Sequence, residues 1–358
     1  MPTDNTNMDK TNTPKANIFD LSLSELADWF VERGEKSFRA KQILKWVYLH
    51  QADSFEEMTD VRTDLRSTLA DFFTISRLPV KNIQTSADGS QKYVLELRDG
   101  QIIESVLMPE KDHSTLCVST QIGCAMACRF CRTAALGFRR NLTAGEIIAQ
   151  VRDAKQLAPP SLPLTNVVFM GMGEPLANID NVLLAIKAMT RFDSGLKISH
   201  NRITVSTAGL ASQMAKLGEA TNVNLAVSLN ATTNDLRNKL MPINHTYPIE
   251  ELLHACQTYP ITKKRRITFE YILLKGINDS EKDALALTRM LHPKRAKINV
   301  IPFNEHPESA FESPPEETID RFLNVLVKHH FTVMVRRSKG RDINAACGQL
   351  AGNYISSQ

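Results

Sequence analysis

The chain contains few cysteines, little net charge and no long apolar run, and each shortage excludes a class of protein. Six cysteines in 358 residues are too few for a secreted disulfide scaffold, which favours a reducing cytoplasm. No apolar run approaches the roughly 20 residues that cross a bilayer, so we expect no membrane partner. The net charge of +4 permits a nucleic-acid partner without requiring one.

The amino terminus resembles no targeting signal. Residues 1–16 are polar, include Pro2 and Pro14, and have no apolar core. We therefore predict a disordered tail and a cytoplasmic protein. The remaining length leaves room for one large catalytic domain and a small appendage.

Residues 17–78 have apolar side chains at helical spacing, in three groups that each fit one face of a short helix. The groups are Leu26 and Phe30; Ile43, Trp46 and Val47; and Leu65, Leu69 and Phe72. These groups predict a small helical accessory domain.

Residues 79–110 contain a predicted β-hairpin that links this domain to the rest of the chain. Two alternating segments, 92–98 and 101–108, flank Asp99-Gly100, a dipeptide typical of a two-residue turn. In the second segment Glu104 shares a face with apolar residues, because strand side chains alternate. Such a carboxylate is either an edge-strand group that reaches water or an active-site group.

Residues 111–345 alternate short β-rich segments with amphipathic helices at intervals of roughly 30 residues, the length of a βα unit. The first helix begins at Thr143, three positions before Glu146, as in a capping box. The strand candidates are residues 115–119, 166–170, 202–206, 222–228, 267–274 and 297–301, with 331–335 as a further edge strand. Six units predict a partial barrel or an open doubly wound sheet, with ligands beyond the carboxyl ends of the strands.

A three-cysteine loop follows the first of these strands, with the spacing Cys124-x₃-Cys128-x₂-Cys131. Thiolates are the usual ligands of iron–sulfur clusters, whereas structural zinc requires a fourth ligand from a second pair, and the chain has no such pair. Three ligands on a [4Fe–4S] cluster leave one iron open to a small molecule. An open iron favours catalysis over a structural role.

Polar residues and glycines follow several predicted strands at their carboxyl ends. Each is weak evidence alone, because glycines and serines commonly end strands. They are predicted at the same edge of the sheet as the cysteine loop, which strengthens the prediction of a binding site. They are Gly171, Gly173, Glu174, Ser206, Ser228, Leu229, Asn230 and Asn304.

Two further cysteines have settings unlike an ordinary packed thiol. Cys347 follows a basic stretch at 336–341 and is flanked by small residues, as in a mobile reactive loop, and Cys117 lies on the first barrel strand. Cys256 instead falls in register with an apolar helical stripe, which indicates packing alone. Cys117 and Cys347 could both face the active site.

The cysteine loop, including Phe130 before the last cysteine, resembles the radical S-adenosylmethionine (radical SAM) signature. From the hairpin to residues 346–358, which we predict to form a reactive-cysteine loop and tail, the chain closely resembles RlmN-type dual-specificity methyltransferases. These enzymes act on carbon 2 of adenine in 23S rRNA and in tRNA. The resemblance implies a radical SAM partial (βα)6 barrel over residues 111–345.

The resemblance also implies roles for individual residues. Cys124, Cys128 and Cys131 would hold one [4Fe–4S] cluster. The SAM-binding residues would be Gly173, Glu174, Ser206, Ser228, Leu229, Asn230 and Asn304. Cys347 would carry the methyl group, Cys117 would resolve the RNA adduct and Glu104 would handle its proton. Asn230 departs from the histidine expected at its position, which puts that one contact in doubt.

The implied reaction uses two SAM molecules per turnover. Cys347 takes a methyl group from the first, and a radical derived from the second activates that group to join carbon 2 of adenine. After loss of an electron and a proton, with Glu104 as the candidate base, Cys117 attacks the Cys347 sulfur and leaves a disulfide. An electron donor such as flavodoxin is expected, and the protein is expected to be a monomer.

Basic residues near the cysteine loop and elsewhere are candidates for RNA backbone contacts, since the adenine must leave its stack to reach a deep site. For each, the alternative is a solvated charged face. The candidates are Arg129, Arg132, Arg139, Arg140, the run Lys263-Lys264-Arg265-Arg266 and the stretch at 336–341.

Three other functions stay open. The nearest is a Cfr-type enzyme that methylates carbon 8 of the same adenine, although residues 132–146 resemble the carbon 2 branch more. A second is a radical SAM enzyme with another substrate. A third, from a different class, is a noncatalytic iron–sulfur or zinc RNA-binding protein, which should not cleave SAM.

Overall fold

A computed structural model describes residues 15–262, 265–306 and 309–351. The three predicted amino-terminal helices are confirmed as α1 (Leu23–Val31), α2 (Phe38–Tyr48) and α3 (Thr63–Phe72). Helix α1 begins with a capping box between Ser22 and Glu25. Residues 1–14 of the predicted tail lie outside the described residues.

A short parallel pair of strands closes the helical region, β1 (Ala16–Asn17) with β2 (Phe73–Thr74). Ala16 therefore belongs to an ordered strand, although it falls within the predicted tail.

The remaining strands form the central sheet and one small hairpin. They are β3 (Val80–Thr85), β4 (Gln91–Glu96), β5 (Ile102–Pro109), β6 (Ser114–Cys117), β7 (Gln121–Gly123), β8 (Phe138–Asn141), β9 (Leu164–Phe169), β10 (Ile203–Thr207), β11 (Asn224–Ser228), β12 (Ile267–Leu273), β13 (Ala296–Pro302) and β14 (Thr332–Val335).

Helices connect the parallel strands. They are α4 (Arg132–Ala135), α5 (Ala144–Leu157), α6 (Ile179–Thr190), α7 (Ala211–Ala220), α8 (Asn234–Leu240), α9 (Ile249–Thr258), α10 (Glu281–Met290) and α11 (Glu316–Lys328). The predicted capping box at the start of α5, between Thr143 and Glu146, is confirmed.

The central sheet confirms the predicted partial barrel. Its order is β14-β13-β12-β11-β10-β9-β6-β5-β4-β3. The seven strands from β6 to β14 are parallel and lie in chain order, without the reversal that defines a doubly wound sheet. Their carboxyl ends therefore meet at one edge, where a barrel of this type binds its ligands.

The predicted hairpin is confirmed as β4 and β5, but it continues the barrel sheet, because β5 pairs antiparallel with β6. A third antiparallel strand, β3, was not predicted. It is an edge strand whose side chains are mostly exposed, including Val80 and Ile83, so its sequence has little apolar alternation.

Helix α5 joins the helical region to the barrel and is buried along most of its length. The fully buried Arg152 donates to Val47 O at 3.1 Å, Ala52 O at 2.9 Å and Asp53 Oδ1 at 2.7 Å. The two parts therefore pack as one body through a satisfied buried cation. Within the described ranges, no helix has the length and apolarity needed to cross a membrane.

Candidate active site

The three-cysteine loop lies between β7 and α4. Strand β7 before the loop pairs antiparallel with β8, which follows α4. Gly123 is required there, since it adopts φ +71° and a Cβ would lie 1.6 Å from Gly137 O. The amide of Cys124 donates to Gly137 O at 3.1 Å. These contacts hold the loop beyond the carboxyl end of β6.

An open cavity lies over the carboxyl ends of the parallel strands. It brings together most of the predicted cofactor residues. Its lining includes Cys124, Cys128, Cys131, Gly173, Glu174, Ser206, Ser228 and Cys347.

The three loop thiols suit an iron–sulfur cluster by their chemistry and by their shared cavity. Burial raises the pKa of Cys124 to about 12 and that of Cys128 well above the usual range, and the neighbouring cysteines add to the rise for both. Free thiols here are therefore protonated, and iron would replace those protons. Among the described residues, no three His, Cys, Asp or Glu side chains already stand at metal-ligand spacing.

Glu174 is buried at the end of the loop after β9, where its carboxylate faces the cavity. It accepts from the amide of Ala208 at 2.7 Å and from that of Leu176 at 3.0 Å. Burial raises its pKa, and these hydrogen bonds oppose the rise. Gly173 before it has φ +100°, and a Cβ there would lie 2.5 Å from Gln121. A carboxylate held this way can accept from a ligand ammonium group.

Glu270 on β12 is a cavity residue that the sequence prediction missed. It is buried, and its Oε2 accepts from Ser206 Oγ at 2.9 Å, while its Oε1 lies 4.0 Å from Nη1 of Arg336. The signal that singled out Glu104, a carboxylate within an apolar strand, applies equally to Glu270.

The described lining of the cavity does not include Leu229, Asn230 or Asn304. Asn230 has φ +56°, a conformation that asparagine tolerates, and its amide contacts Ile272 N at 2.8 Å and Met241 Sδ at 3.2 Å. Its side chain is thus engaged by protein atoms.

Arg237 on α8 is a second buried residue that was not predicted. Its Nη2 donates to Ala208 O at 2.7 Å and Ser228 O at 3.1 Å, and its Nε donates to Leu229 O at 3.1 Å. Burial lowers its pKa to about 10. These hydrogen bonds link the carboxyl ends of β10 and β11, the strands that contain Ser206 and Ser228.

The loop that carries Cys347 is fastened against the three-cysteine loop. The amide of Arg132 donates to Gly348 O at 2.8 Å, and Thr133 Oγ1 donates to Leu350 O at 2.6 Å. Asn304 contributes here instead of lining the cavity, since its Nδ2 donates to Cys347 O at 3.1 Å. Cys347 is thus held at the edge of the cavity.

Cys117 and Cys347 also line one smaller pocket of about 330 Å³. Both are free thiols, so the disulfide implied by the release step is not formed in this state. Burial raises the pKa of Cys117 to about 12, and the Cys347 sulfur adds to the rise. Cys256 is buried on α9 among core side chains, as its helical register predicts.

Glu104 is buried beside the Cys347 loop. Its Oε2 accepts from the amide of Ala351 at 2.9 Å, and its Oε1 lies 3.5 Å from Lys92 Nζ. The described lining of the two cavities does not include it. Its carboxylate is therefore engaged by the carboxyl-terminal segment.

The predicted basic residues fall into two groups. Arg129 and Arg139 are exposed near the three-cysteine loop, beside the half-exposed ring of Phe138. Arg140 is instead paired with Glu146 at 2.8 Å and with Asp99 at 2.7 Å.

Arg265 and Arg266 of the predicted basic run lie at the amino end of β12, because that strand begins at Ile267. Parallel strands place this end at the edge of the sheet opposite the cysteines. Arg265 donates to Asn222 O and Asn201 Oδ1, and Arg266 donates to Thr332 Oγ1. The side chains of the two described arginines are thus engaged by protein atoms, and contact between this run and RNA stays a prediction, with Lys263 and Lys264 outside the described residues.

The partial barrel and the three-cysteine loop at its carboxyl edge define a radical SAM enzyme. Residues 118–288 match the radical SAM superfamily, and residues 16–75 match the ribosomal RNA large subunit methyltransferase N-terminal domain. The crystal structure of a radical SAM methyltransferase from Sphaerobacter thermophilus superposes with a TM-score of 0.88 at 41% identity, covering 94% of this chain and 100% of that one.

Curated relatives define the family more narrowly. The chain is 54% identical over 346 residues to the dual-specificity RNA methyltransferase RlmN of Desulfosudis oleivorans, which covers 97% of this chain and 93% of the relative. It is 51% identical to that of Geobacter sulfurreducens, over 93% of this chain and 91% of the relative. The chain belongs to the RlmN family of dual-specificity RNA methyltransferases, and its cofactors are a [4Fe–4S] cluster and SAM.

Proposed function

We propose that this enzyme methylates carbon 2 of adenine in 23S rRNA and in tRNA, with Cys347 as the carrier of the methyl group. The observation that carries the proposal is the position of Cys347, which borders both the cavity of the cluster cysteines and the pocket of Cys117. A thiol in that position can receive a group on one side and be attacked from the other.

The cavity residues divide between the two cofactors. Cys124, Cys128 and Cys131 would hold the cluster, and Glu174, Ser206 and Ser228 would contact SAM. Together the bound cofactors supply a methyl group and a 5′-deoxyadenosyl radical, which an electron from a donor such as flavodoxin generates. Leu229, Asn230 and Asn304 would complete the SAM site, as the family resemblance implies.

The protein thiols perform the transfer. Cys347 gains a methyl group by nucleophilic displacement, and its activated carbon then joins carbon 2 of adenine. Cys117 attacks the Cys347 sulfur, so that an S–S bond forms, the C–S bond breaks and the released carbon takes up a proton. Before this attack the adduct loses one electron, which can return to the cluster, and the proton on carbon 2, for which Glu104 is the candidate base.

RNA would approach over the three-cysteine loop, where Arg129, Phe138 and Arg139 are exposed. Arginines bind phosphates, and an exposed ring can stack on an unpaired base. We expect affinity for RNA to fall steeply with salt, and Arg129→Ala to lower the log–log slope by about one unit.

Arg266→Ala is the matched control, because Arg266 lies at the opposite edge of the sheet, and its slope should equal that of the wild type. Filter binding from low to physiological salt measures both variants. Affinity that does not change over this range would contradict a phosphate-dominated interface.

Mass mapping of nucleosides tests the proposed function directly. A strain that lacks the gene should have no 2-methyladenosine in 23S rRNA or tRNA, and the wild-type gene should restore it. Formation of 8-methyladenosine would indicate a Cfr-type enzyme instead. Absence of 5′-deoxyadenosine in an anaerobic assay with reductant would contradict a catalytic role.

A further inference from the structure

Arg336 has no role in the proposed function so far, although it is a half-buried cation directly after β14. Its amide donates to Val300 O at 2.9 Å, which fixes the backbone against β13. Its side chain lines the same small pocket as Cys117 and Cys347. A guanidinium beside two thiols can stabilise the negative charge of a thiolate.

Met170 brings Arg336 and Cys117 together. Nη1 of Arg336 contacts Met170 Sδ at 3.2 Å, and the backbone of Met170 forms a hydrogen bond with the Cys117 thiol. Arg336 and Cys117 therefore both contact Met170. This arrangement connects the end of β14 to the end of β6.

The other charged groups around the pocket leave Arg336 as the available cation. Lys339 also lines the pocket, but its Nζ is 3.1 Å from Glu110 and donates to Pro109 O. Among the residues that the structure describes, the carboxylate that pairs with Arg336 is Glu270, whose Oε1 lies as far as 4.0 Å from Nη1. The charge of Arg336 is therefore less fully balanced than that of Lys339, and a sulfur anion can share it.

We propose that Arg336 is a positioning residue for the release step, whose guanidinium stabilises the thiolate of Cys117 as it attacks the Cys347 sulfur. The proposal rests on the proposed two-thiol reaction. A buried thiol without a cation would stay protonated and would not act as a nucleophile at neutral pH.

The electrostatic effects agree in direction with this geometry. Burial raises the pKa of Cys117 to about 12, the Cys347 sulfur adds to the rise, and Arg336 opposes both. The Cys347 sulfur is also the largest cause of the raised pKa of Arg336, followed by burial, which lowers it, and by Glu270, which raises it. Arg336 thus favours the charged form of Cys117, and it still does so in the adduct, where the Cys347 sulfur is bonded to the RNA and carries no charge.

Release of RNA from its covalent adduct tests the proposal. The adduct formed during turnover is trapped at low pH, and its decay is followed by denaturing electrophoresis after a jump to higher pH. We expect Arg336→Met to slow release about tenfold near neutral pH, since loss of a nearby cation changes a thiol pKa by about one unit or more. The pH profile should move to higher pH, because more base is needed to form the same thiolate.

Two variants separate charge from shape. Arg336→Lys keeps the cation and should recover most of the release rate. Arg321→Met makes the same chemical change on α11, at a side chain that is 55% exposed and lies 3.8 Å from Glu281, and it should release RNA at the wild-type rate. Thermal unfolding of each variant verifies that the fold is intact.

A folded Arg336→Met variant that releases RNA at the wild-type rate would overturn the proposal. An Arg336→Lys variant as slow as Arg336→Met would equally overturn it, because that result indicates shape instead of charge. The Cys117→Ala variant identifies a different failure. If that variant forms no adduct, the two-thiol reaction itself is wrong.

Discussion

Replacement of Cys347 by alanine is expected to reduce RNA methylation to background while leaving the cluster and SAM binding intact. The variant has no sulfur to accept the methyl group, so the reaction stops before the RNA is joined to the protein. Neither methylated RNA nor a protein–RNA adduct should form. Mass spectrometry of the RNA and denaturing electrophoresis of the reaction mixture measure the two products.

Cys117→Ala should fail at the opposite end of the same reaction. Cys347 can still accept the methyl group and join adenine, but the thiol that breaks the link is missing. Covalent protein–RNA complex should therefore accumulate, with the nucleotide on the peptide that contains Cys347. The two thiols share one pocket, so their opposite phenotypes could not arise from a general disturbance of that pocket.

Cys256→Ala is the matched control for both variants, since Cys256 is buried on α9 among core side chains. It should turn over normally, with at most a modest loss of stability. Normal turnover by Cys117→Ala, or methylation of adenine by Cys347→Ala, would show that the two-thiol reaction is wrong for this enzyme even though its radical SAM core could remain.

Alanine replacements of Cys124, Cys128 and Cys131 are expected to abolish cluster binding one by one. Only three thiolates of the loop face the cavity, so loss of any one leaves two ligands for a cluster that needs three. Iron and sulfide content after anaerobic reconstitution should fall to background. Cleavage of SAM to 5′-deoxyadenosine should disappear with it.

Cys256→Ala and Cys347→Ala serve as controls in the same measurement, and both should retain the wild-type iron content. Retention of full iron and of SAM cleavage in all three loop variants would contradict the assignment of the cluster ligands. Loss of iron with an unfolded protein would not support it either, so circular dichroism must accompany the iron measurement.

Local patterns predicted most of the fold. The capping box at Thr143, the turn at Asp99-Gly100 and the period of the βα units depend on neighbours within a few residues, so the sequence carries them directly. Strand β3 escaped prediction because its pairing with β4 is an edge contact that demands little apolar alternation. The sequence also did not predict that the hairpin continues the barrel sheet. That continuity comes from the pairing of β5 with β6, which local sequence patterns do not indicate.

The candidate site divides in the same way. The spacing of Cys124, Cys128 and Cys131 was visible because all three lie in one loop. Glu270 lies on β12 and Arg336 directly after β14. Their positions beside Ser206 and Cys117 could be recognised only in the folded structure. Asn304 bonds the Cys347 loop through a partner 43 residues away, and its contact with SAM stays a prediction.

The sequence by itself determined the class of chemistry, because three thiols closely spaced in one loop restrict the metal they can hold whatever surrounds them. It also determined a parallel sheet, because repeated βα units have few other arrangements, whereas the strand order that separates a barrel from a doubly wound sheet came from the structure. Only the tertiary structure decided which groups face one another across the barrel edge. It placed Arg265 and Arg266 at the edge away from the cysteines, and it placed Arg336 beside Cys117 and Cys347. Burial, charge pairing and pKa depend on distances between residues remote in the chain, and those distances exist only after the strands have packed.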